Sequence, residues 1–459
     1  MSLASFLVLV LVFLAGNGLL RLLRFRSSTG PERLGFAFAA GCVILAAAAT
    51  LLSPLGLATA APLILTLLAV AVLPVFLQRP VAVELRQEWP SFLPTLAVVV
   101  LSFWLASQRP VWNVDAQMRW VLHGQWMAAE GTLTPERMED PSWAENHPAY
   151  PPLVPALTGL AVQLGASPDA GVRGLFPAFF LALLGMLHGF GVRALGPLRG
   201  WLLPLAFGLT PAFAWMSSSG MAFGLGADAA VADVPLALML TGLSMLLLDA
   251  FRRGERAQFM AMTLLAAGAC WTKQEGAAFV LVMLLATLSC SALIARGEAR
   301  LRALRGLAVV LTGALAAAGL WRLVAASMPV APGEDYLSAG GLAALFGNLG
   351  RLPAVLGGIG AGLVRFAVWG PLWLVALAAS AVAIARRDAV GLLPLLWLLL
   401  GIGVAAAGFL ASGWRDGDYP RLMDVSLTRL LIHHAPLAAL MVAELGRRTL
   451  PRRAAAGRA

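Results

Sequence analysis

The sequence predicts an all-α protein, a polytopic bundle of about 13 transmembrane helices, because apolar runs long enough to cross a bilayer recur along the whole chain. Of its 459 residues, 60% are hydrophobic and only 12% are charged, and the mean hydropathy is +0.83. A soluble domain carries about 25% charged residues, so this composition excludes a soluble globular protein. In hydrocarbon the backbone must satisfy its own hydrogen bonds, and long apolar runs do this as helices.

The apolar runs give the positions of the spans in chain order. They are predicted at 3–20, 34–52, 61–77, 91–107, 172–193, 199–217, 229–250, 257–273, 276–295, 306–327, 366–385, 390–411 and 428–446. No basic region precedes the first run, so we interpret it as a transmembrane helix rather than a cleaved signal peptide. Residues 153–165 are apolar but short, and we expect them to enter the membrane and return. The Gly-rich stretch 328–365 is predicted to be partly amphipathic helix.

Arginine clusters set the predicted orientation of the chain. They follow alternate spans, from Arg21 after the first span to Arg447 after the last. Because basic loops stay in the cytoplasm, the N-terminus and the polar loop 108–150 are predicted to lie outside and the C-terminus inside. The net charge of +10 is then explained by cytoplasmic loops, so the predicted partner is a lipid bilayer and not nucleic acid.

The first outer loop carries the principal catalytic candidate. Asp115, in "WNVDAQMRW", follows the fourth span closely and is expected at the membrane surface. Trp112, Ala116, Trp120 and Met127 recur at about helical intervals, which indicates an amphipathic helix lying along the membrane. Asp115 is therefore interpreted as a catalytic base or as the residue that caps this helix, and the two roles are compatible.

The end of the same loop, "NHPAYPPLVP", offers two further polar side chains. His147 and Tyr150 stand among prolines, which restrict the backbone and can hold the two side chains in place. We interpret them as substrate-binding residues. The alternative is a simple turn.

Two more candidate sites lie at the predicted outer ends of later spans. Asp233, in "ADVPLAL", is about one turn inside its span, where an ionisable group is expected to face the protein interior or an aqueous cavity. Lys273 and Glu275, in "WTKQEG", occupy the shortest outer turn, and Lys273 is the only lysine in the chain. This pair is interpreted either as a structural clasp or as a ligand for an anion.

The last span begins with two basic side chains. Arg429 and His433, in "TRLLIHHAP", are four residues apart and share one helix face. Cations that enter a membrane are costly unless they meet an anion, and a lipid phosphate is a natural partner. The alternative is an arginine that reaches to the interface with an interfacial histidine beside it.

These motifs, in this order, resemble those of the GT-C membrane glycosyltransferases. The chain is similar in particular to the bacterial relatives of the dolichyl-phosphate-mannose–protein mannosyltransferases (glycosyltransferase family 39-like), over about residues 90–446. The resemblance implies a GT-C-like fold in which 91–446 form the catalytic transmembrane module. Residues 1–90 would then be N-terminal helices of unknown role, and 447–459 a basic cytoplasmic tail.

The resemblance also implies a reaction. A sugar would move from a polyprenyl-phosphate donor to an acceptor of unknown identity, on the extracytoplasmic side of the inner membrane. Asp115 corresponds to the catalytic aspartate of the family and would act as the general base. Lys273, Arg429 or His433 would stabilise the leaving phosphate. The predicted substrate-binding residues are His147, Tyr150, Asp233, Lys273, Glu275, Arg429 and His433.

The chain departs from the family pattern in its first loop. Many relatives have two adjacent acids there, whereas Asp115 is followed by Ala116. One carboxylate is a poor site for a divalent cation, so no metal site is predicted and a divalent cation stays an open alternative.

Two other function classes remain open from the sequence. A multispanning transporter or flippase of a lipid-linked or small-molecule substrate would also need polar residues among its spans, although nearer the middle of the bilayer. A ligase or polymerase that uses a lipid-linked sugar would need a large late outer loop, and the loop 328–353 is modest.

Overall fold

The computed structural model describes residues 1–77, 89–108, 111, 113, 115–214, 229–253, 256–294, 297–329, 339–412 and 419–449. Within these ranges the chain is helical and forms no strand. The all-α prediction is therefore confirmed for the described part of the chain.

Twenty α-helices follow one another in the described ranges. They are α1 Leu3–Leu22, α2 Gly30–Leu52, α3 Ala60–Leu77, α4 Trp89–Gln108, α5 Val121–Glu130, α6 Leu153–Gln163, α7 Ala170–Arg173, α8 Phe176–Leu195, α9 Leu202–Gly208, α10 Pro211–Ala214, α11 Asp233–Arg253, α12 Arg256–Cys270, α13 Gln274–Ile294, α14 Gly297–Val324, α15 Ala339–Gly347, α16 Leu352–Leu363, α17 Phe366–Trp369, α18 Leu372–Ala385, α19 Ala389–Ala411 and α20 Tyr419–Thr449.

Ten helices in the described ranges are long and apolar enough to cross a membrane. Each coincides with one of the predicted spans. A bent pair of helices, Gly340–Gly347 and Leu349–Leu363, meets at 48° and raises the number to eleven if it counts as one span. α3 is the least buried of the ten helices, and its side chains Leu65, Val75 and Phe76 are exposed and available to lipid. The chain is thus a multispanning membrane protein, and the exact number of spans stays a prediction.

The other three predicted spans form shorter helices in the described chain. The region 199–217 is described only as far as Ala214, and there it consists of α9 and α10, which are separated just before Pro211. α12 has 15 residues. α17 and α18 are separated by Gly370, whose φ is 54°, and by Pro371. Pro211 begins α10 and Pro371 precedes α18, and proline, which has no backbone N–H to donate, is well tolerated at the start of a helix.

The N-terminal helices pack into the same hydrophobic core as the rest of the bundle. A side chain at Gly41 would place its Cβ 1.8 Å from the backbone oxygen of Val12, so α2 and α1 touch through their backbones. A Cβ at Gly35 would lie 2.3 Å from the oxygen of Ala182 on α8. Small residues allow such close approach between membrane helices. α2 therefore lies between α1 and α8, and the proposed division at residue 90 stays a prediction.

The first outer loop forms the helix that its spacing predicts, and one face of that helix is buried in the protein. A π-helix at Ala116–Trp120 leads into α5, and Trp120, Trp126 and Met127 are buried. α5 packs on α6, where a Cβ at Gly124 would lie 2.1 Å from Thr158 Oγ1. The apolar face of this helix therefore packs on α6, and its position relative to the membrane stays a prediction. α6 is the segment that we expected to be re-entrant, and its path relative to the bilayer stays a prediction.

A buried ion-pair network lies at the opposite end of α11 from Asp233. Arg193, near the end of α8, forms an ion pair with Glu32 at the start of α2 and a second with Asp249 at 3.5 Å. Asp249 is sixteen residues along α11 from Asp233, which is about 24 Å at 1.5 Å per residue. Thr29 Oγ1 accepts the backbone N–H of Glu32 and caps α2. Charged side chains thus join helices at both ends of the bundle.

Candidate functional site

Asp233 begins α11 and is the centre of a buried polar cluster. Its residue is only 1% exposed. Lys273 Nζ donates to Asp233 Oδ1 at 3.0 Å, and Arg429 Nε donates to Oδ2 at 2.9 Å. His433 Nε2 lies 2.9 Å from Oδ1. The free N–H groups of the helix start also favour a negative charge at this position.

Arg429, on α20, connects Asp233 with the first loop. Its Nη1 donates to Asp115 Oδ2, while its Nε donates to Asp233. The side chains of Arg429, Asp115 and Asp233 are 11%, 7% and 1% exposed. A buried charge is stable only when it is paired, so this bridge fixes the first loop against the membrane helices.

The turn between α12 and α13 contributes a further cation–carboxylate contact. Lys273 Nζ lies 3.4 Å from Glu275 Oε1 in addition to its bond to Asp233. The Glu275 side chain is 29% exposed and lies at the edge of the cluster. The structural clasp that we considered for Lys273 and Glu275 is therefore present, and the binding of an anion stays a prediction.

Asp115 does not cap the helix that follows it. The backbone N–H of Ala116 donates to Asn113 Oδ1 at 3.3 Å, so Asn113 supplies the cap. Asp115 makes no capping hydrogen bond, and its carboxylate points to Arg429 and to Arg119, whose Nη1 is 3.6 Å from Asp115 Oδ1. The capping interpretation of Asp115 is thus wrong, because a neighbouring side chain occupies that position.

The surrounding charges keep Asp115, in the first loop, and Lys273, in the turn between α12 and α13, ionised at neutral pH. Burial alone would raise the pKa of Asp115, but the positive charges of Arg429 and Arg119 outweigh it, and the pKa lies below its ordinary value. Burial alone would lower the pKa of Lys273, but Asp233 and Glu275 outweigh it and raise the pKa. Asp115 is therefore an ionised carboxylate at neutral pH.

His147 and Tyr150 form a stack of rings beside this cluster. The His147 and Tyr150 rings lie 4.8 Å apart, and Tyr150 lies 5.2 Å from Trp120. Arg119 connects the stack to Asp115, since its guanidinium carbon lies 5.6 Å from the centre of the Tyr150 ring. His147 has a left-handed φ of 53°, an uncommon backbone conformation outside glycine. All eight predicted site residues thus belong to one connected region.

Comparison of the chain with protein-family models, with curated proteins and with solved structures finds no match.

The described residues do not fit a resident divalent cation. In the described ranges, no group of three or more His, Cys, Asp or Glu side chains is arranged to hold a metal ion. The two carboxylates best placed to do so, Asp115 and Asp233, both accept hydrogen bonds from Arg429. A guanidinium occupies the position between them, so no chemical step is derived through a metal.

Sequence reasoning missed Arg119 and a set of buried polar atoms around it. Arg119 stands four residues after Asp115, which is the spacing of an ion pair on one helix face. The Trp120 Nε1, His123 Nε2 and Asn146 Nδ2 atoms are buried and form no hydrogen bond among the described residues. Burial lowers the pKa of His123 to about 3, so its ring is neutral. The i+4 spacing from Asp115 was the signal that could have identified Arg119.

Proposed function

We propose that this protein is an integral membrane glycosyltransferase of the GT-C type. It moves a sugar from a polyprenyl-phosphate donor to an acceptor on the extracytoplasmic side of the membrane, with Asp115 as the general base. The observation that carries this proposal is the connected network from Asp115 through Arg429 and Asp233 to Lys273. It joins an ionised carboxylate to two cations, one on α20 and one in the turn between α12 and α13, and the transfer reaction needs both kinds of group.

Asp115 is suited to receive the proton of an acceptor hydroxyl. Its Oδ2 accepts from Arg429, while among the described residues Oδ1 has only the longer ion pair with Arg119 at 3.6 Å. In the proposed step, Oδ1 takes the hydroxyl proton, and the oxygen attacks the anomeric carbon from the face opposite the phosphate. The bond between that carbon and the phosphate oxygen breaks, and its electron pair stays on the phosphate. The configuration at the anomeric carbon is therefore inverted.

The leaving phosphate gains negative charge as this bond breaks. Lys273 and Arg429 would stabilise this charge through their own positive charges while they keep their contacts to Asp233. Asp233 holds both cations and is a positioning residue, since it contacts them rather than the reacting atoms. Tyr150 packs against His147 and under Arg119, so this stack would support the side of the site at which Arg119 meets Asp115.

The predicted orientation supports an extracytoplasmic site. The cluster lies at the first turn of α11, and Arg193 with its partners lies at the other end of that helix. The arginine clusters that mark the cytoplasmic side follow the same end of the spans. Polyprenyl-phosphate donors would then approach from the outer leaflet of the plasma membrane.

A transporter or flippase is the second candidate, and one observation favours it. Ion pairs join the helices at both ends of α11, through Asp233 on one side and Asp249 on the other. Proteins that open alternately to each side of a membrane need contacts of this kind that can break and re-form. Counterflow of a labelled polyprenyl-phosphate sugar across proteoliposomes, without transfer to any acceptor, would favour this function over glycosyl transfer.

The direct test of the proposed function compares Asp115→Asn with Asp140→Asn in purified protein. Asp140 lies in the same loop but is exposed and caps a short helix, a role that Asn also fills. With labelled polyprenyl-phosphate sugars and a membrane extract as acceptor, Asp115→Asn is expected to lose transfer by about 100-fold or more. Asp140→Asn is expected to match the wild type. Equal transfer by Asp115→Asn and wild type would remove Asp115 from the mechanism.

A further inference from the structure

Arg119 is the most exposed cation of the site and the one with the fewest partners. Its side chain is 23% exposed, against 11% for Arg429 and 6% for Lys273. Among the described residues, it makes one ion pair, with Asp115 at 3.6 Å, and lies over the Tyr150 ring. A charge-assisted hydrogen bond is normally about 2.7–2.9 Å long, so this ion pair leaves its N–H groups available.

Arg429 and Lys273, the other two cations of the site, each already contact two carboxylates. Arg429 bridges Asp115 and Asp233, and Lys273 bridges Asp233 and Glu275. An anion that entered the site would have to displace a buried carboxylate before it could bind either of them. Such a displacement is costly, because the released carboxylate would be buried without a partner.

The charge balance of the cluster also favours Arg119 as the anion-binding residue. Asp115, Asp233 and Glu275 are three carboxylates, and Arg429 and Lys273 are only two cations. Arg119 supplies the third positive charge, at the edge of the cluster that is open to solvent. Without Arg119 the region would be negative and would repel an anionic substrate.

We propose that Arg119 is the residue that first binds the phosphate group of the substrate and positions it over Asp115 and Arg429. Its planar guanidinium has five N–H donors and suits the paired oxygens of a phosphate. Tyr150 holds the guanidinium by its face and leaves the N–H edge available. This assignment rests on the proposed function for the identity of the substrate. The binding step can nevertheless be measured without any transfer.

The experiment measures binding of polyprenyl phosphate, which carries no sugar, to purified protein in phosphatidylcholine nanodiscs. Arg119→Gln is expected to weaken binding by at least about tenfold, since it removes charge-assisted hydrogen bonds to the phosphate. Arg119→Lys keeps the charge but loses the planar pair of donors, so its affinity is expected to lie between the two. Arg137→Gln removes an exposed arginine paired with Glu130 near the same loop and is expected to bind like the wild type.

Inorganic phosphate is added as a competitor to identify the source of the phosphate group. Displacement of the lipid by inorganic phosphate shows that the headgroup alone is recognised, and lack of displacement shows that the lipid chain is required. Either result supports the proposal if the binding depends on Arg119.

Two results would overturn it. One is an Arg119→Gln variant that binds polyprenyl phosphate with wild-type affinity and differs only in the pH profile of transfer. Arg119 would then only balance the charge of Asp115. The other is no saturable binding of polyprenyl phosphate by the wild type. Binding that depends on Arg119 in a protein that transfers no sugar would support this inference and count against glycosyl transfer.

Discussion

Replacing Arg429 by Gln is expected to lower the free energy of unfolding by about 3–5 kcal/mol, the cost of breaking a buried ion pair by removing one partner. The structure supports this range. Arg429 makes two charge-assisted hydrogen bonds, each worth about 1.5–3 kcal/mol, to side chains that are 7% and 1% exposed. In the variant Asp233 keeps Lys273, while Asp115 keeps only Arg119 at 3.6 Å. Most of the loss therefore falls on Asp115.

The assay is reversible unfolding in mixed micelles, with Arg137→Gln as the matched control. Arg137 is 51% exposed and pairs with Glu130 at the surface, so its loss is expected to cost between about 0 and 1 kcal/mol. Adding Asp115→Asn to Arg429→Gln should restore part of the stability, because the unpaired charge is then removed. The reasoning is refuted if Arg429→Gln is no less stable than Arg137→Gln, or if the double variant shows strict additivity.

Two further predictions concern the N-terminal helices and pH. Gly41→Ala places a Cβ 1.8 Å from the oxygen of Val12, and the overpacking is expected to cost about 1–3 kcal/mol of unfolding free energy and so to lower the thermal midpoint. The control is Gly319→Ala, whose new Cβ has no atom within 4 Å. Its midpoint is expected to be unchanged or slightly raised. An unchanged midpoint in Gly41→Ala would contradict the packing of α1 on α2. Since the pKa of Asp115 is depressed, its ionised form and its contribution to stability are present above the ordinary carboxyl pKa of about 3.9 and are lost only as pH falls through the lower folded value. The transfer rate of the wild type should therefore fall on the acid side only below about pH 4. In Arg119→Gln this fall should move to higher pH, because one positive charge beside Asp115 is lost. No movement would show that Arg119 has no charge effect on Asp115.

The helical spans could be predicted because their signal is local. Any run of about 20 apolar residues must satisfy its backbone hydrogen bonds internally, whichever neighbours it has. The ten long helices confirm this. Prediction was weaker where a break depends on a few residues, as at Gly370 and Pro371, which separate α17 from α18. Hydropathy averages over such breaks.

The site was only partly predictable from local motifs. An ionisable residue near the end of a predicted apolar span attracts attention, and this identified Asp233, Lys273 and Arg429. The role of Asp115 within its helix was misread, because sequence alone does not say whether Asn113 or Asp115 caps the turn. Both types of side chain cap helices well, and only the path of the backbone decides between them.

The sequence by itself determined that the chain is a helical membrane protein and which polar residues stand at the ends of its spans, since both follow from the cost of placing polar groups in hydrocarbon. Only the tertiary structure decided that Arg429 meets both Asp115 and Asp233, 314 and 196 residues away. It also decided that α6 covers the loop helix. Contacts between distant segments depend on how whole helices pack, and small residues such as Gly124 allow that packing without any local hydropathy signal.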